Sequence, residues 1–558
     1  MEHDIDAKQL YSLAESTFSK RITLHNLWQE ISENFYVERA DFTYQRSIGM
    51  ERAINLLTSY PLQVRRNLGD SLSTMLRPTA KDWFHVGVQD LRIDKDIESR
   101  RWLEWSTQTQ RRAMYDRASL FNRATKEADH DYAAFGNCVL SIQMNKARDG
   151  LLYRCWHLRD VAWLEDAEGK VGPIFRKWKP EARILNQLFR GKVHKNVVKM
   201  AEKTPTETVE CMHMIVEAEQ YDGDARGKPF WSIYYDGSNR VIIEAVPVND
   251  SEYVVPRWQT VSGNQYAFSP AAICALPDAR LLQAMMHTLL EAGEKLVNPP
   301  MIATQNVVRS DVAVYAGGIT WVDEEYDERL GEALRPMTLD HRGMPMGIEM
   351  YTEGQKLLSQ AFFLDRLTLP ERAPEMTAYE VGQRVQEYIR GALPLFEPME
   401  QDYNAQVCEA TFSLMLRNGG FGSPHDMPRR LRGAPIQFHF ESPLHDAIEQ
   451  QKGQKFTEVE ALIQQAAQLD PHIGTIIDVQ TTMRDVLEGI GAPATWIRSD
   501  AEAAELADQQ KMQAAMNPQS IAQTSQTLQN VQKGAQAAVD LQGLAGQLGG
   551  QGGAAQAA

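Results

Sequence analysis

The sequence predicts an α+β protein, mainly helical, and three observations carry that prediction. Near the N-terminus apolar residues recur at three- and four-residue spacing, as in Leu24, Leu27, Ile31 and Phe35, the period of one buried helix face. Residues 137–258 are rich in β-branched and aromatic residues, the composition of half-buried strands. Beyond 270 helices return, and two of them flank a mixed insertion.

Taken in order, residues 1 to about 130 read as helices, one of them running from Ala53 through Leu56-Leu57 to Leu76, where Arg77-Pro78 closes it. The strand region reads as NCVLSIQM, LLYRCWHL, VAWLEDA, ETVECMHMIVEAEQ, FWSIYYDGSNRVIIEAVPV and EYVVPRW. Asp236-Gly237-Ser238 turns a hairpin, and PEARILNQLF is a helical interlude. The segment 271–297 holds a helix over 278–297, with Pro277 ahead of it, Asp278 as N-cap, and Asn298-Pro299-Pro300 as its stop. An N-cap side chain accepts orphan N–H groups of the first turn, and proline restricts the residue before it. Such a helix is a rod of roughly 30 Å at 1.5 Å per residue.

The insertion, 298–345, has strand-like pieces at Met301–Thr304 and Ile319–Val322 and is locally acidic. A second helix occupies 346–367, and a proline-bearing loop covers 368–375. A helical run follows from Met376, is kinked at Pro394 and Pro398, and ends at Asn418-Gly419-Gly420; proline interrupts the hydrogen-bond ladder. Residues 436–500 begin with a strand, PIQFHFES, and continue as helices. From 501 the chain is Ala/Gln/Gly-rich, helical and then disordered over its last dozen residues, which offer little apolar surface to offset ordering entropy.

The 558 residues carry a formal charge of −16. Tight nucleic-acid binding over the whole surface is therefore not expected, since it needs clustered Lys and Arg. The five cysteines form no CxxC pair, so a zinc ribbon is not indicated and the thiols fit a reducing compartment. No signal core opens the chain, and no run approaches the ~18 apolar residues of a membrane span. Assembly in the cytoplasm without membrane contact is the expectation.

Catalytic signatures are missing: the sequence holds no GxxxxGK[ST], HExxH, GxSxG or EF-hand loop, so neither an enzyme nor a cofactor is expected. Asp129-His130-Asp131 has metal-ligand residue types, but neighbours on a helix diverge, and the run reads as solvated surface. Cys211 and His213 alternate onto one face of a strand, which reads as core. The run Asp323, Glu324, Glu325, Asp327 and Glu328 reads as a solvated face or as a docking surface for a basic partner. From the residues alone, a multidomain scaffold or adaptor, or a hydrolase with an unmarked site, also stays open.

A resemblance narrows this. Pro256-Arg257-Trp258, then Tyr266-x-x-Ser269-Pro270, ALPD at 275–278, a helix bearing Ala292 and Lys295, and Pro299-Pro300 together resemble the head-to-tail connector (portal) family of short-tailed bacteriophages. LSTMLRPTAKDWF at 72–84 and MTAYEVGQRVQEYI at 376–389 agree in order and spacing. The chain departs from the pattern at Ala267, where glycine is expected.

The resemblance implies a closed ring, usually of twelve subunits, at one capsid vertex. Double-stranded DNA passes through its axis without sequence reading. A terminase motor, then tail adaptor proteins, dock on it, with major capsid and scaffolding proteins around it. It implies a wing at 1–270, stem helices at 271–297 and 346–367, a clip at 298–345, a channel loop at 368–375, a wing helix at 376–435, a crown at 436–500 and a tail at 501–558. Lys356, Arg366 and Arg372 become candidates for phosphate contact in the channel, and the acidic run of the clip the docking surface. The stops of the first helix then mark where wing, stem and clip meet. The virion is the implied location.

Overall fold

The computed structural model describes residues 2–303 apart from 45, 46, 48, 54, 80, 81, 95, 222 and 223. Beyond these it describes 321, 329, 334–337, 343–367, 399–440 apart from 424, and 506 and 509. The acidic run 323–328, Arg372, the loop 368–375, the Met376 helix and nearly all of 441–558 lie outside the described residues.

Six helices come first: α1 (Glu2–Ser19), α2 (Ile22–Phe35), α3 (Tyr60–Leu76), α4 (Leu91–Asp94), α5 (Ile97–Met114) and α6 (Phe121–Phe135), with strand β1 (Phe84–Val88) among them. The α3 helix begins at Tyr60, not at Ala53, because Pro61 occupies its first turn, where the missing N–H costs nothing. The sequence reading lacked β1. It pairs antiparallel with a distant strand, Val88 opposite Ile436 and Phe84 opposite Phe440, and alternation over five residues is easily overlooked inside a helical region.

Eight strands follow: β2 (Leu140–Met144), β3 (Leu151–Cys155), β4 (Val161–Glu165), β5 (Val171–Trp178), β6 (Cys211–Glu217), β7 (Phe230–Asp236), β8 (Val241–Val248) and β9 (Tyr253–Val254). They form a three-stranded sheet ordered β3-β2-β9 and a five-stranded meander β4 to β8. The sequence reading also missed β5, because Gly172-Pro173 looks like a turn. The sheet tolerates Pro173 because the β4–β5 register shifts between Trp163 and Glu165, and pairing with β6 begins only at Ile174. Proline inside a sheet is confined to such irregularities.

Helices α7 (Ala182–Leu188) and α8 (Lys195–Lys203) link β5 to β6. They pack through Ala182, Leu185 and Val197 on Cys211 and Ile243, while α1 covers the other face of the meander through Leu10 and Ala14 on Met212 and Met214. Strand alternation thus sends Cys211 and Met212 to opposite faces, and the core reading of Cys211 and His213 holds. His213 is buried, with Nδ1 2.6 Å from Tyr253 Oη and Nε2 2.9 Å from Ser232 Oγ.

The rest comprises α9 (Leu276–Val297), β10 (Met301–Ala303), β11 (Leu334–Pro336), α10 (Gly343–Ala361), α11 (Leu364–Leu367), α12 (Ala405–Arg417) and β12 (Ile436–Phe440). The last of these, placed by sequence at the head of the crown, is the strand that pairs with β1. The protein is thus a mixed α/β structure. It divides into two compact units, Met1–Ile93 with Trp102–Lys452, and Asp94–Arg101 with Gly453–Ala558. In the second, the Asp96 carboxylate accepts from Ser99 N at 3.2 Å and Ser99 Oγ at 2.7 Å. One large core in the first joins α2, α3, α6, α12 and the β2 sheet around Trp28, Trp83, Tyr132, Phe135 and Tyr403.

The surface reading of Asp129-His130-Asp131 is overturned. Both aspartates are buried, and each faces a different arginine. Asp131 takes both arms of Arg39 at 2.9 Å; Asp129 holds Arg77, whose side chain is only 3% exposed. His130 lies 2.9 Å from Arg65. The three side chains do diverge as helix geometry requires, but into the core. Burial pushes both carboxyls up and the paired arginines pull them back.

Three partly buried histidines make stability depend on pH. Burial, aided by nearby arginines, lowers His25 and His130 to about 4 and His157 to about 3. Below its ordinary value of 6.5 each histidine is protonated first in the unfolded chain. Their stabilisation is therefore full above pH 6.5 and declines as pH falls toward 4. Denaturant midpoints measured from pH 7.5 to 4 should fall, and His25→Gln with His157→Gln should flatten that dependence; an unchanged slope would refute the assignment.

Candidate functional site

The longest helix among the described residues, α9, and its antiparallel partner α10 form the site. The helical run leading into α9 begins earlier than the sequence reading has it. Ser269 is its cap: Ser269 Oγ accepts from Ala272 N at 3.2 Å and donates to Ala134 O at 2.6 Å, and Pro270 follows at the first helical position, where proline is favoured. Residues Ala271–Ala275 make a π-helical turn before α9 proper. Pro277 therefore lies inside the run and Asp278 in the first turn of α9, where no side chain caps it. The wider turn, with Leu276 N bonded to Ala271 O, relieves the clash a proline makes with the preceding turn. At the other end Asn298 closes the helix through its N–H to Glu294 O at 2.8 Å, and Pro299-Pro300 lead into β10.

The turn before Ser269 explains why alanine suffices at 267. Ala267 is absent from the positive-φ residues, so nothing there demands glycine. The close approach is met at Gly136 instead, at φ +74°, where an added Cβ would sit 2.4 Å from the Phe268 carbonyl carbon.

The second helix starts at Gly343 instead of 346 and breaks at Phe362-Phe363, Phe363 having φ 58°. The two helices run antiparallel in a fixed register. A Cβ at Gly354 would meet Leu282 Cδ2 at 2.9 Å, and one at Gly347 would meet Leu289 Cδ2 at 3.0 Å. Leucine knobs seven residues apart thus fill glycine holes seven residues apart, the repeat of a left-handed helix pair. That signal is visible in the sequence as Gly347 and Gly354 against Leu289 and Leu282, and the sequence reading passed over it.

A polar clamp ties both helices to one turn of the base. Gln283 Oε1 accepts from Leu57 N at 2.9 Å and Thr58 N at 3.2 Å, while its Nε2 donates to Thr58 O at 3.1 Å. Thr58 Oγ1 lies 2.8 Å from Tyr351 Oη. Tyr60 Oη donates to Gln355 O at 3.1 Å and lies 2.5 Å from Ser359 Oγ. Below the clamp Leu276, Ala279, Leu282, Leu358 and Phe362 enter the core, Phe362 against Phe35 at 5.3 Å. Above it Leu290, Val297, Met346 and Ile348 are half or more exposed. At the tip β10 and β11 pair, Met301 opposite Pro336.

Of the candidate phosphate contacts, Lys356 is exposed on α10, with Nζ 3.7 Å from Glu353, and Arg366 falls in α11. Arg372 lies outside the described residues. Among the described residues no three His, Cys, Asp or Glu side chains group to hold a metal, and no helix is long and apolar enough to cross a membrane.

A helix pair held in register and clamped to a packed base is a structural framework. The chain belongs to the family of bacteriophage head to tail connecting proteins, whose model matches residues 7–497. It is 23% identical over 462 residues to a probable portal protein of Bordetella phage BPP-1, across 80% of each chain. It is 20% identical over 459 residues to the portal protein of Salmonella phage epsilon15, across 81% of each. The connector resemblance is thereby borne out. A chain from the virion of a native gene transfer agent particle overlaps at TM-score 0.34 and 10% identity, covering 77% of this chain and 95% of that one, too loosely to carry any argument.

Proposed function

We propose that the chain is the repeating subunit of a portal ring at the head-to-tail junction of a virion. In this reading α9 and α10 are the stem, 298–345 the clip, 1–270 and 376–435 the wing, and 436–500 the crown. The observation that carries it is the stem pair: its register is fixed by glycine–leucine packing, yet much of its apolar surface has no cover within the subunit. Neighbouring copies supply that cover in a closed cyclic assembly, where every subunit presents two different complementary faces. A fixed-length spacer serves such a ring, because all copies must hold their clips at one height.

DNA passage is then mechanical. Twelve copies at −16 would carry −192 formally, so duplex is repelled more than held, with Lys356, Arg366 and Arg372 offering sequence-independent phosphate contacts. The acidic clip run docks the terminase motor and then tail proteins, and capsid and scaffolding proteins surround the ring in the host cytoplasm.

Negative-stain imaging of the purified protein tests this directly. Rings with an axial hole are expected; a monomer at every concentration would overturn the reading in favour of an adaptor. Deleting 369–374 should leave rings intact and impair DNA packaging. Normal packaging by that deletion would remove the channel-loop assignment.

A further inference from the structure

The five-stranded meander carries opposite charge at its two ends. At the end where β5 passes to β6, the segment 179–203 holds seven Lys and Arg against two Glu, in a chain whose total is −16. Lys195, Lys199 and Lys203 repeat every four residues, which places them on one stripe of α8. All three are exposed, as is Arg190, and none has a carboxylate partner among the described residues. Two large apolar side chains of α7 lie beside them uncovered, Ile184 at 39% and Leu188 at 55% exposure.

At the other end, and on the other face of the sheet, a groove of about 850 Å³ runs between α1 and the β4–β5 and β6–β7 connections. Leu10, Leu13, Leu164 and Tyr221 give it an apolar floor, and Glu165, Asp166 and Glu219 line it. Glu219 is exposed and has no cation partner among the described residues.

A basic, leucine-tipped hairpin and an acidic, leucine-floored groove on opposite ends and faces of one rigid sheet cannot meet within a subunit. They suit a head-to-tail contact between copies, which needs two unlike faces. We infer that the α7–α8 hairpin of one subunit docks in the α1 groove of the next copy of this chain. This rests on the ring reading above and assigns that ring one of its contacts. Leu188 and Ile184 supply buried apolar area, and the lysine stripe against Asp166 and Glu219 sets orientation and partner choice, Glu165 being already held by Arg257 at 2.6 Å.

Two exposed-residue variants test it. One reverses the hairpin (Lys195→Glu, Lys199→Glu, Lys203→Glu). The other reverses the groove's exposed carboxylate (Glu219→Lys) and spares Glu165, which Arg257 holds at 2.6 Å, and Asp166, which accepts the N–H groups of the β4–β5 turn. Circular dichroism and thermal unfolding check that each folds as the parent. By sedimentation velocity, each variant alone should need at least about tenfold more protein to form rings, the effect of turning attractive charge pairs into repulsive ones. Mixed together they should recover, since each faulty surface then meets a complementary one and the two chains alternate around the ring. Parent rings with both variants assembling like the parent would overturn the contact while leaving the ring reading intact. A hairpin variant that assembles normally but loses binding to duplex DNA would reassign the lysine stripe to nucleic acid. A parent that forms no ring would sink the ring reading itself.

Discussion

Asp129→Leu should destabilise the protein by roughly 3–5 kcal/mol, the usual cost of stranding one partner of a buried ion pair. Arg77 is the residue left behind. Its side chain is 3% exposed, bonds Asn404 Oδ1 at 2.8 Å and lies over the Tyr403 ring at 4.6 Å. Nothing in that environment solvates an unpaired guanidinium. The double change Arg77→Met with Asp129→Leu should recover much of the loss, because removing both charges also removes the desolvation cost. Recovery should be incomplete, since Asn404 then loses a donor. Denaturant unfolding of the three variants decides the point. A loss below about 1 kcal/mol for Asp129→Leu, the range of exposed pairs, would mean that the pair is not closed to water. The position matters because α3, α6 and the π-helical turn Glu400–Asn404, which leads into α12, meet there, and α3 carries Tyr60 of the clamp.

Gly354→Leu, alone or with Gly347→Leu, should force α9 and α10 apart. The Cβ alone would meet Leu282 Cδ2 at 2.9 Å, and Leu282 is fully buried at the base with little room to move. Overpacking of this kind costs about 1–3 kcal/mol, and here the penalty falls where the helix pair enters the packed base. The expected result is a modest fall in unfolding midpoint but a large loss of ring assembly, since splayed stems cannot repeat one geometry around a closed ring. Gly354→Ala should be milder, as one methyl asks only a leucine terminus to shift. Rings formed by Gly354→Leu at parental concentration and with parental dimensions would show that the spacing of the stem is not set by this contact.

The two helices and the insertion between them were legible because their signals are local. Prolines at 299 and 300 punctuate the chain whatever surrounds them, and the meander announces itself by alternating apolar residues. The start of the first stem helix was misjudged because two capping signals compete. Asp278 looks like a cap, but Ser269-Pro270 is the one used, since Ser269 finds a second partner in Ala134 O, more than 130 residues away in the chain. The strands β1 and β5 were lost for related reasons, one being short and paired with a strand near residue 440 and the other containing a proline that only a register shift admits.

The candidate site divides in the same way. Gly347 and Gly354 against Leu282 and Leu289 were written in the sequence as a seven-residue repeat. The clamp of Thr58, Tyr60, Gln283 and Tyr351 was not, because hydrogen bonds between residues more than 200 apart leave no periodicity. Asp129 and Asp131 show the limit most clearly. Residue type and helix geometry separated their side chains, but only packing decided that both would be buried, because their partners Arg77 and Arg39 lie on other elements. The sequence by itself determined the helix–insertion–helix order, the stop of the first long helix at Asn298-Pro299-Pro300 and the family, since these depend on neighbouring residues or on ordered blocks of them. The tertiary structure alone decided which charges are buried, which helix cap is used and which apolar faces stay uncovered, because each depends on what the fold brings near.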